Sequence, residues 1–366
     1  MQNVLFAVNY TDANEGSFIR ALTALGEELE RNGSKAVYLL PEKSKSFDWA
    51  EKLISNGSSV YFFKDSFAGF FKTVSTIKKI IKSFKIGIIH SFFTTPGLKL
   101  AVSFACCGNK KLDHIIQMNQ PSSGNPVLKE KLADLLHEPA LYIAESETVK
   151  NSIMIQGKRS VKIMNSVDFS RLEAVDSGIK RSDITDNENQ KILFAFGQDI
   201  NDKGIDTLIE TIKEFDKDGR FVLMIVVKDT NRAEEEIRSI FSEVPDFVKL
   251  VPERNDIATY FNLADIYILL RYTQGSPYTM IESAYLGLPI IYCDDENKNE
   301  LNIPWSVNIS FADKKALYEA VCGIANEEEA EAYQMSREAK EYVVSHFSLG
   351  SWVYEIISTY KNIYRI

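Results

Sequence analysis

The segment Arg271–Tyr292, RYTQGSPYTMIESAYLGLPIIY, predicts a loop, a helix and a buried strand in succession. Ser276 followed by Pro277 is a strong helix-start signal, because a serine side chain can cap a helix and a proline fits its first turn. A Gly-Leu-Pro stop ends the helix, and the apolar run Ile290–Tyr292 is typical of a short buried strand. A helix start directs free N–H groups beyond the loop, where they favour an anion such as phosphate. The segment is therefore predicted to carry an anion site, with Glu282 as the acid on its helix.

Length and composition indicate a soluble protein with two domains. The chain has 366 residues, of which 45% are apolar and 25% charged, and this is enough for two hydrophobic cores. The N-terminal sequence lacks the basic flank and cleavage site of a signal peptide, and no run of about 18 apolar residues is present to span a bilayer. The four cysteines show no C-x-x-C spacing, which disfavours a disulfide framework or a structural zinc site. We therefore expect a cytoplasmic protein.

Charge is distributed unevenly along the chain. Residues 1–185 contain 24 basic and 19 acidic side chains, whereas residues 186–366 contain 18 and 32. In the basic half, segment 67–85 has apolar residues at helical spacing and several lysines. This pattern suits a helix that lies on the anionic inner face of a membrane. The alternative, which the pattern favours, is a helix that packs its apolar stripe on a sheet and leaves its lysines in water. The acidic chain has no basic-aromatic patch, which argues against nucleic-acid binding.

Strand-like and helix-like segments alternate along the chain, which is typical of parallel sheets flanked by helices. The polar segment 176–190, DSGIKRSDITDNENQ, has few large apolar residues and is the best candidate for a linker. The predicted fold class is therefore α/β, with Rossmann-like doubly wound domains at 1–175 and 191–346 that face a cleft. Ligands of such sheets bind beyond the carboxyl ends of the strands, so the loops there are expected to line that cleft.

A second helix start lies in the loop that follows the predicted strand Ile192–Phe196. Lys203 stands beside Gly204 at this helix start, where a cation would neutralise part of a diphosphate. A single lysine in a polar loop is more often simply solvated, so this position is a weak signal when taken alone.

Together, the two helix starts resemble the donor site of the retaining family 4 glycosyltransferases, which have the GT-B fold. Lys203–Gly204 matches the family's Lys-Gly, and Glu282 matches the second glutamate of its Glu-x7-Glu motif. The final segment 347–366 resembles the C-terminal helix that crosses back to the first domain in these enzymes. Three more segments match in order, namely Asn165–Asp168, Ala264–Asp265 and Gly287–Pro289.

The resemblance implies a metal-independent transfer of a sugar, with retention, from a nucleotide-diphosphate donor and without a separate cofactor. The acceptor would be a glycan, a lipid-linked group or a protein, as in the synthesis of cell-surface polysaccharides or glycoconjugates. The implied catalytic residues are Lys203, Gln274 and Asn119, with Gly16 and His90 on the acceptor side. The implied donor-binding residues are Gly197, Gln198, Lys203, Gly275, Ser276, Tyr278, Thr279 and Glu282, of which Glu282 holds the ribose.

Three neutral amides replace residues that are usual in this family. Gln274 stands at the first glutamate of Glu-x7-Glu, Gln198 at the arginine of the Gly-Arg loop, and Asn119 at a histidine near the transferred sugar. Retaining transfer needs stabilisation of the departing diphosphate and of a cationic sugar centre. The alternative function is therefore a catalytically inactive glycosyltransferase-like subunit, and a sugar epimerase of similar architecture is a third.

Glu282 and His90 each have two interpretations. Thr279 and Glu282 have the spacing of a capping box, in which the acid only bonds its own helix start. If Ser276 caps the helix instead, then Tyr278, Thr279 and Glu282 share one helix face toward a ligand, and the Ser-Pro start favours this arrangement. His90 follows a buried strand and is either a core residue or part of the cleft. No cluster of acids or histidines has the spacing of metal ligands.

Overall fold

Two parallel sheets flanked by helices form the protein. The computed structural model describes residues 2–13, 15–66, 68–109, 111–121, 127–173, 178–197, 200, 204–254, 256–270, 278–294, 301–311 and 313–363. They divide into two compact units. The first unit comprises the described residues of Met1–Val167 and Leu349–Ile366, and the second those of Asp168–Thr273 and Pro277–Ser348. The predicted α/β class with two Rossmann-like halves is confirmed.

The first unit contains a seven-stranded parallel sheet in the order β3-β2-β1-β4-β5-β6-β7. Its strands are β1 Asn3–Val8, β2 Ala36–Pro41, β3 Ser59–Phe63, β4 Ile86–Phe92, β5 Asp113–Met118, β6 Leu141–Ala144 and β7 Ser160–Lys162. Its helices are α1 Gly16–Arg31, α2 Asp48–Ser55, α3 Phe70–Phe84, α4 Pro96–Cys106, α5 Leu128–Leu136, α6 Glu147–Met154 and the C-terminal α13 Leu349–Asn362.

Side-chain alternation along the strands builds a core on each face of this sheet. On β1, Phe6 points into the core that α1, α2 and α13 cover, whereas Leu5 points into the core that α3 and α4 cover. Trp352 and Ile356 anchor α13 in the first of these cores. The predicted return of the C-terminal helix to the first unit is therefore confirmed.

Helix α3 shows which interpretation of segment 67–85 applies. Val74, Ile77 and Ile80 are buried against the sheet, and the lysines of the helix are exposed. Apart from Phe71, which is 77% exposed, the apolar stripe is thus part of the core, as expected for a helix that packs on a sheet. Among the described residues, no helix combines the length and hydropathy needed to cross a bilayer.

The second unit contains a six-stranded parallel sheet in the order β10-β9-β8-β11-β12-β13. Its strands are β8 Lys191–Phe196, β9 Phe221–Val227, β10 Val248–Pro252, β11 Ile266–Leu269, β12 Ile290–Cys293 and β13 Ser306–Ile309. Its helices are α7 Ile205–Phe215, α8 Thr230–Phe241, α9 Ala258–Leu263, α10 Tyr278–Tyr285, α11 Lys314–Ala325 and α12 Glu329–Phe347.

Part of the predicted linker, residues 178–190, also belongs to the second unit. Arg181 donates hydrogen bonds to the carbonyl oxygens of Leu263 and Gln190 and to a carboxylate oxygen of Asp265, at 3.0, 2.6 and 2.7 Å. One arginine therefore holds this polar segment beside the start of β11.

Candidate functional site

The strand order of the second sheet reverses between β8 and β11. These strands are direct neighbours, with Leu193 opposite Ile266 and Phe194 opposite Tyr267. A reversal of this kind is the place where open α/β sheets bind ligands, beyond the carboxyl ends of the two strands. The loops 197–204 and 270–278 follow β8 and β11, and we call them the switch-point loops.

Most of the predicted donor residues fall on these two loops. Gly197 is described, and Tyr278, Thr279 and Glu282 lie on α10 directly after the second loop. The other predicted residues of these loops lie outside the described residues, namely Gln198, Lys203, Gln274, Gly275 and Ser276.

Two glycines fix the ends of the first switch-point loop. A Cβ atom on Gly197 would lie 2.6 Å from a methyl carbon of Ile225. Gly204 has a φ of +72°, and a Cβ atom there would lie 2.7 Å from the ring of Phe311 and 2.9 Å from the Cβ of Leu270. Glycine is therefore needed at both positions, and α7 starts directly beyond Gly204.

Glu282 is buried on α10 and paired with an arginine. Only 3% of Glu282 is exposed, and its Oε1 atom accepts a hydrogen bond from the guanidinium group of Arg171, whose side chain is 18% exposed. Arg171 was not singled out from the sequence, although it lies three residues after Asp168, the end of the Asn165–Asp168 segment. The pair holds the carboxylate in one orientation on the helix that follows the second switch-point loop.

The short turn Phe169–Leu172 holds α10 at a second point. The ring of Phe169 stacks on Tyr285 with centroids 4.4 Å apart and planes at 12°. The Nζ atom of Lys340 lies 4.4 Å from the centroid of the Tyr285 ring. Helix α10 is thus held at Glu282, in its middle, and at Tyr285, its last residue.

The capping-box interpretation does not fit the geometry of α10. Thr279 is the second residue of the helix, whereas a capping box requires it to precede the first. Its hydroxyl oxygen accepts a hydrogen bond from Tyr267 at 2.7 Å. Burial raises the pKa of Tyr267, so this phenol stays a donor at neutral pH.

The first unit contains a cavity of about 340 Å³ beyond the carboxyl end of β5. Asn119, one of the predicted catalytic residues, lies in its wall. Its other lining residues are Phe93, Thr94, Lys99, Ile116, Gln117, Met118, Gln120, Pro121, Glu130, Tyr142, Ile153, Gln156 and Lys158. Amides and two lysines dominate the polar part of this wall, so the cavity suits a hydroxyl-rich ligand.

A shared carboxylate organises the lysines of the cavity. The Nζ atoms of Lys99 and Lys158 lie 2.6 and 2.9 Å from the two carboxylate oxygens of Asp134. Lys99 also donates a hydrogen bond to the hydroxyl of Tyr142 at 3.4 Å. Burial lowers the pKa of Lys99, and Asp134 opposes this effect.

A buried acid lies next to the cavity. Gln117 and Asn165 donate hydrogen bonds to the two carboxylate oxygens of Glu145, at 3.2 and 2.7 Å. Burial raises the pKa of Glu145 to about 7, although both hydrogen bonds act in the opposite direction. Glu145 therefore gains and loses its proton near neutral pH.

Gly16 and His90, the predicted acceptor-side residues, differ in their placement. Gly16 starts α1 with a φ of +56°, at the carboxyl end of β1 where the first sheet also reverses its order. His90 is fully buried within β4, with its Nδ1 atom 2.7 Å from the hydroxyl of Tyr360 on α13. Burial lowers the pKa of His90 to about 3, so the ring is neutral. In this structure His90 is a core residue rather than part of an open surface.

No group of three or more His, Cys, Asp or Glu side chains among the described residues is arranged to hold a metal ion.

Two Rossmann-like units with a C-terminal helix returned to the first are the GT-B fold, and structural comparison agrees. A glycosyltransferase from Rickettsia africae superimposes with a TM-score of 0.79 at 15% identity, covering 100% of this chain and 99% of that one. HepE from Anabaena, solved with UDP and glucose, gives 0.73 at 14% identity, covering 99% and 100%. At these identities the likeness shows the fold alone.

Sequence comparison assigns the second half of the chain more narrowly. Residues 176–342 match the family model described as glycosyl transferases group 1. An uncharacterised glycosyltransferase of Haemophilus influenzae is 29% identical over 106 residues, which cover 28% of this chain and 30% of the relative. The 106 matched residues therefore span less than a third of the length of that relative. The family model thus covers much of the second unit and less than half of the chain.

Proposed function

We propose that the protein transfers a sugar from a nucleotide-diphosphate donor to an acceptor hydroxyl with retention of configuration. The main support is the reversal point between β8 and β11. Two helices, α7 and α10, start directly after the two switch-point loops there, within the segment that matches the glycosyltransferase family model. Helix starts favour the charge of a diphosphate.

In this proposal the donor lies on the second unit. Lys203 and the N–H groups of Tyr278 and Thr279 take the diphosphate, and Glu282 takes the ribose hydroxyls. Glu282 is the acid of the helix that follows the second switch-point loop, and its contact with Arg171 holds the carboxylate in one orientation. Arg171 is accordingly a positioning residue for Glu282.

UDP is the first nucleotide to test, because HepE, which shares the fold, was solved with UDP and glucose. During transfer the bond between the anomeric carbon and the diphosphate oxygen breaks, and the acceptor oxygen bonds to that carbon and loses its proton. Lys203 stabilises the departing diphosphate, and Gln274 and Asn119 hydrogen-bond the sugar. The reaction as proposed uses neither a metal ion nor a separate cofactor.

The proposed acceptor site is the cavity of the first unit. Its wall offers amide groups from Gln117, Asn119 and Gln120 together with two lysines, which suits the hydroxyl groups of a glycan or a lipid-linked saccharide. Glu145 titrates near neutral pH beside this wall and is hydrogen-bonded to Gln117. The proposed setting is the cytoplasmic synthesis of cell-surface polysaccharides or glycoconjugates.

Replacing Lys203 tests the donor assignment. Lys203→Ala should cost about 2–3 kcal/mol of transition-state stabilisation, or roughly 30- to 150-fold in kcat/KM, because the diphosphate loses a charge-assisted contact. Lys217→Ala is the matched control, since Lys217 is exposed and precedes β9 at the amino ends of the strands. Unchanged turnover of the donor in Lys203→Ala would contradict the assignment.

Binding is measured separately from turnover. UDP, GDP and ADP are titrated against the full chain while the melting temperature is followed, because a ligand of the folded state raises it. If a nucleotide stabilises the protein but no donor is cleaved, the result would favour the alternative function, a catalytically inactive subunit. The reason for this alternative is the presence of the neutral residues Gln198, Gln274 and Asn119. Conversion of the donor sugar to its epimer without an acceptor would favour an epimerase.

A further inference from the structure

Helix α5 of the first unit carries its leucines on the outside. Leu128 and Leu135 are 81% and 83% exposed, Leu132 is 39% exposed, and Ala133 is the buried residue of the helix. Positions 128, 132 and 135 follow each other by four and three residues, so they lie on one helix face. We call this face the leucine ridge.

The two acidic residues of α5 lie on its inner side. The Asp134 carboxylate is paired with Lys99 and Lys158, and Glu130 lies in the wall of the cavity. A helix on the surface of a water-soluble domain normally turns its apolar stripe inward and its charges outward. In α5 the leucines face outward instead, which indicates a surface that contacts something other than water.

Helix α6 also exposes apolar side chains at its end. Met154 and Ile155, at the end of α6, are both exposed. Ile153 and Gln156 beside them line the same cavity as Glu130 of α5, so the two helices border one region of the first unit. Exposed apolar side chains therefore occur on both of these helices.

Lysines surround this surface. Lys129 and Lys131 of α5 are exposed on either side of the ridge. Helix α4 packs against both α3 and α5, and α3 exposes Lys72, Lys78, Lys79 and Lys82. No aspartate or glutamate occurs between Asp65 and Asp113, a stretch that contains eight lysines. The layer formed by α3, α4 and α5 thus combines exposed leucines with a one-sided positive charge.

We propose that the leucine ridge docks the protein on an anionic lipid bilayer. Apolar side chains that enter the acyl boundary, flanked by lysines at the level of anionic headgroups, are the usual means by which a peripheral helix holds a membrane. The positive charge of the layer complements the negative charge of anionic lipids. It disfavours a second copy of this chain as the partner, because the positively charged layers of two copies would repel each other. The surface lies on α5, whereas segment 67–85, from which the sequence raised membrane contact, contributes its lysines and keeps its apolar stripe in the core.

Co-sedimentation of the full chain with vesicles tests the proposal. The wild-type protein should bind vesicles of phosphatidylcholine mixed with phosphatidylglycerol, bind phosphatidylcholine vesicles much less, and be released partly by added salt. The Leu128→Gln/Leu135→Gln variant should bind the anionic vesicles about tenfold more weakly or less, since two apolar side chains no longer enter the bilayer.

The matched control is Ile54→Gln/Tyr354→Gln. Both side chains are exposed on α2 and α13, which cover the opposite face of the same sheet. This variant should bind anionic vesicles as the wild type does, and the melting temperatures of both variants should confirm that they fold.

Equal vesicle binding by the leucine variant and the wild type would overturn the proposal, as would a wild type that does not bind anionic vesicles. A wild-type dimer that the leucine variant loses, without vesicle binding by either protein, would assign the ridge to contact between copies of the chain instead. Donor cleavage without acceptor is measured in parallel, so that loss of vesicle binding is distinguished from loss of the proposed sugar chemistry.

Discussion

Arg171 and Glu282 form an ion pair that is almost removed from water, and the fold depends on both partners. Arg171→Ala should lower the free energy of unfolding by about 3–5 kcal/mol, because it leaves the Glu282 carboxylate buried without its counter-charge. Arg171→Lys should recover part of that loss, since it restores the charge but not the planar guanidinium. Urea unfolding measures both values.

The matched control for this pair is Arg232→Ala. Arg232 pairs with Glu236 at 2.8 Å on α8, but its side chain is 74% exposed. Solvent-exposed pairs contribute about 0–1 kcal/mol, so this variant should remain close to the wild type. Equal effects of Arg171→Ala and Arg232→Ala would show that the burial of the Arg171 pair does not matter to stability.

Sequence reasoning found the acid of this pair and missed its partner. Glu282 stood out because it is the acid of a helix that follows a Ser-Pro start. Arg171 is 111 residues away in the chain, and no local pattern links the two. His90 shows the same limit, because the strand pattern located it but did not tell whether α13 would cover it.

At the scale of elements, the first turn of α7 depends on a glycine. Gly204→Ala should destabilise the protein by about 2–4 kcal/mol, because a side chain with positive φ is strained and its Cβ atom would clash with Leu270 and Phe311. Gly219→Ala is the control, since Gly219 has a φ of +65° with nothing within 4 Å of its Cβ position. Urea unfolding should show a cost of only about 1–2 kcal/mol for that variant.

A difference between the two glycine variants isolates the close packing at the end of the first switch-point loop. If Gly204→Ala and Gly219→Ala unfold at the same urea concentration, the loop end is not held by Leu270 and Phe311 as described.

Strands with a fully buried apolar run have a clear pattern in the sequence, whereas two of the four edge strands, β3 and β13, do not. β1, β9 and β12 appear as runs of apolar residues because helices cover both of their faces. β3 and β13 are edge strands with half-buried or exposed positions, so their sequences carry a weaker signal.

Helices α3 and α5 show that an amphipathic pattern does not reveal which face is covered. Both have an apolar face and several lysines. The apolar face of α3 meets the sheet, whereas that of α5 points to solvent because the inner side of α5 packs on α4 and borders the cavity. The helical period of 3.6 residues is the same in both helices, so only tertiary packing determines whether the apolar face is buried or exposed.

At the scale of the whole molecule, alternation of strands and helices was sufficient to predict two parallel sheets. It did not give the order of the strands, which depends on how the helices cross the sheet rather than on any local pattern. The observed reversal makes β8 and β11 direct neighbours, although they are about 70 residues apart in the chain. The resemblance predicts that the segments after these two strands share one site.

The central claim is that the protein cleaves a nucleotide-diphosphate sugar and passes the sugar on with retention. NMR of the anomeric proton during incubation of the full chain with UDP-glucose and related donors, with and without saccharide acceptors, tests it most directly. We expect release of the nucleotide diphosphate. The transferred sugar, or the free sugar formed by hydrolysis, should keep the anomeric configuration of the donor. A donor that binds and remains intact, or a product with inverted configuration, would contradict it.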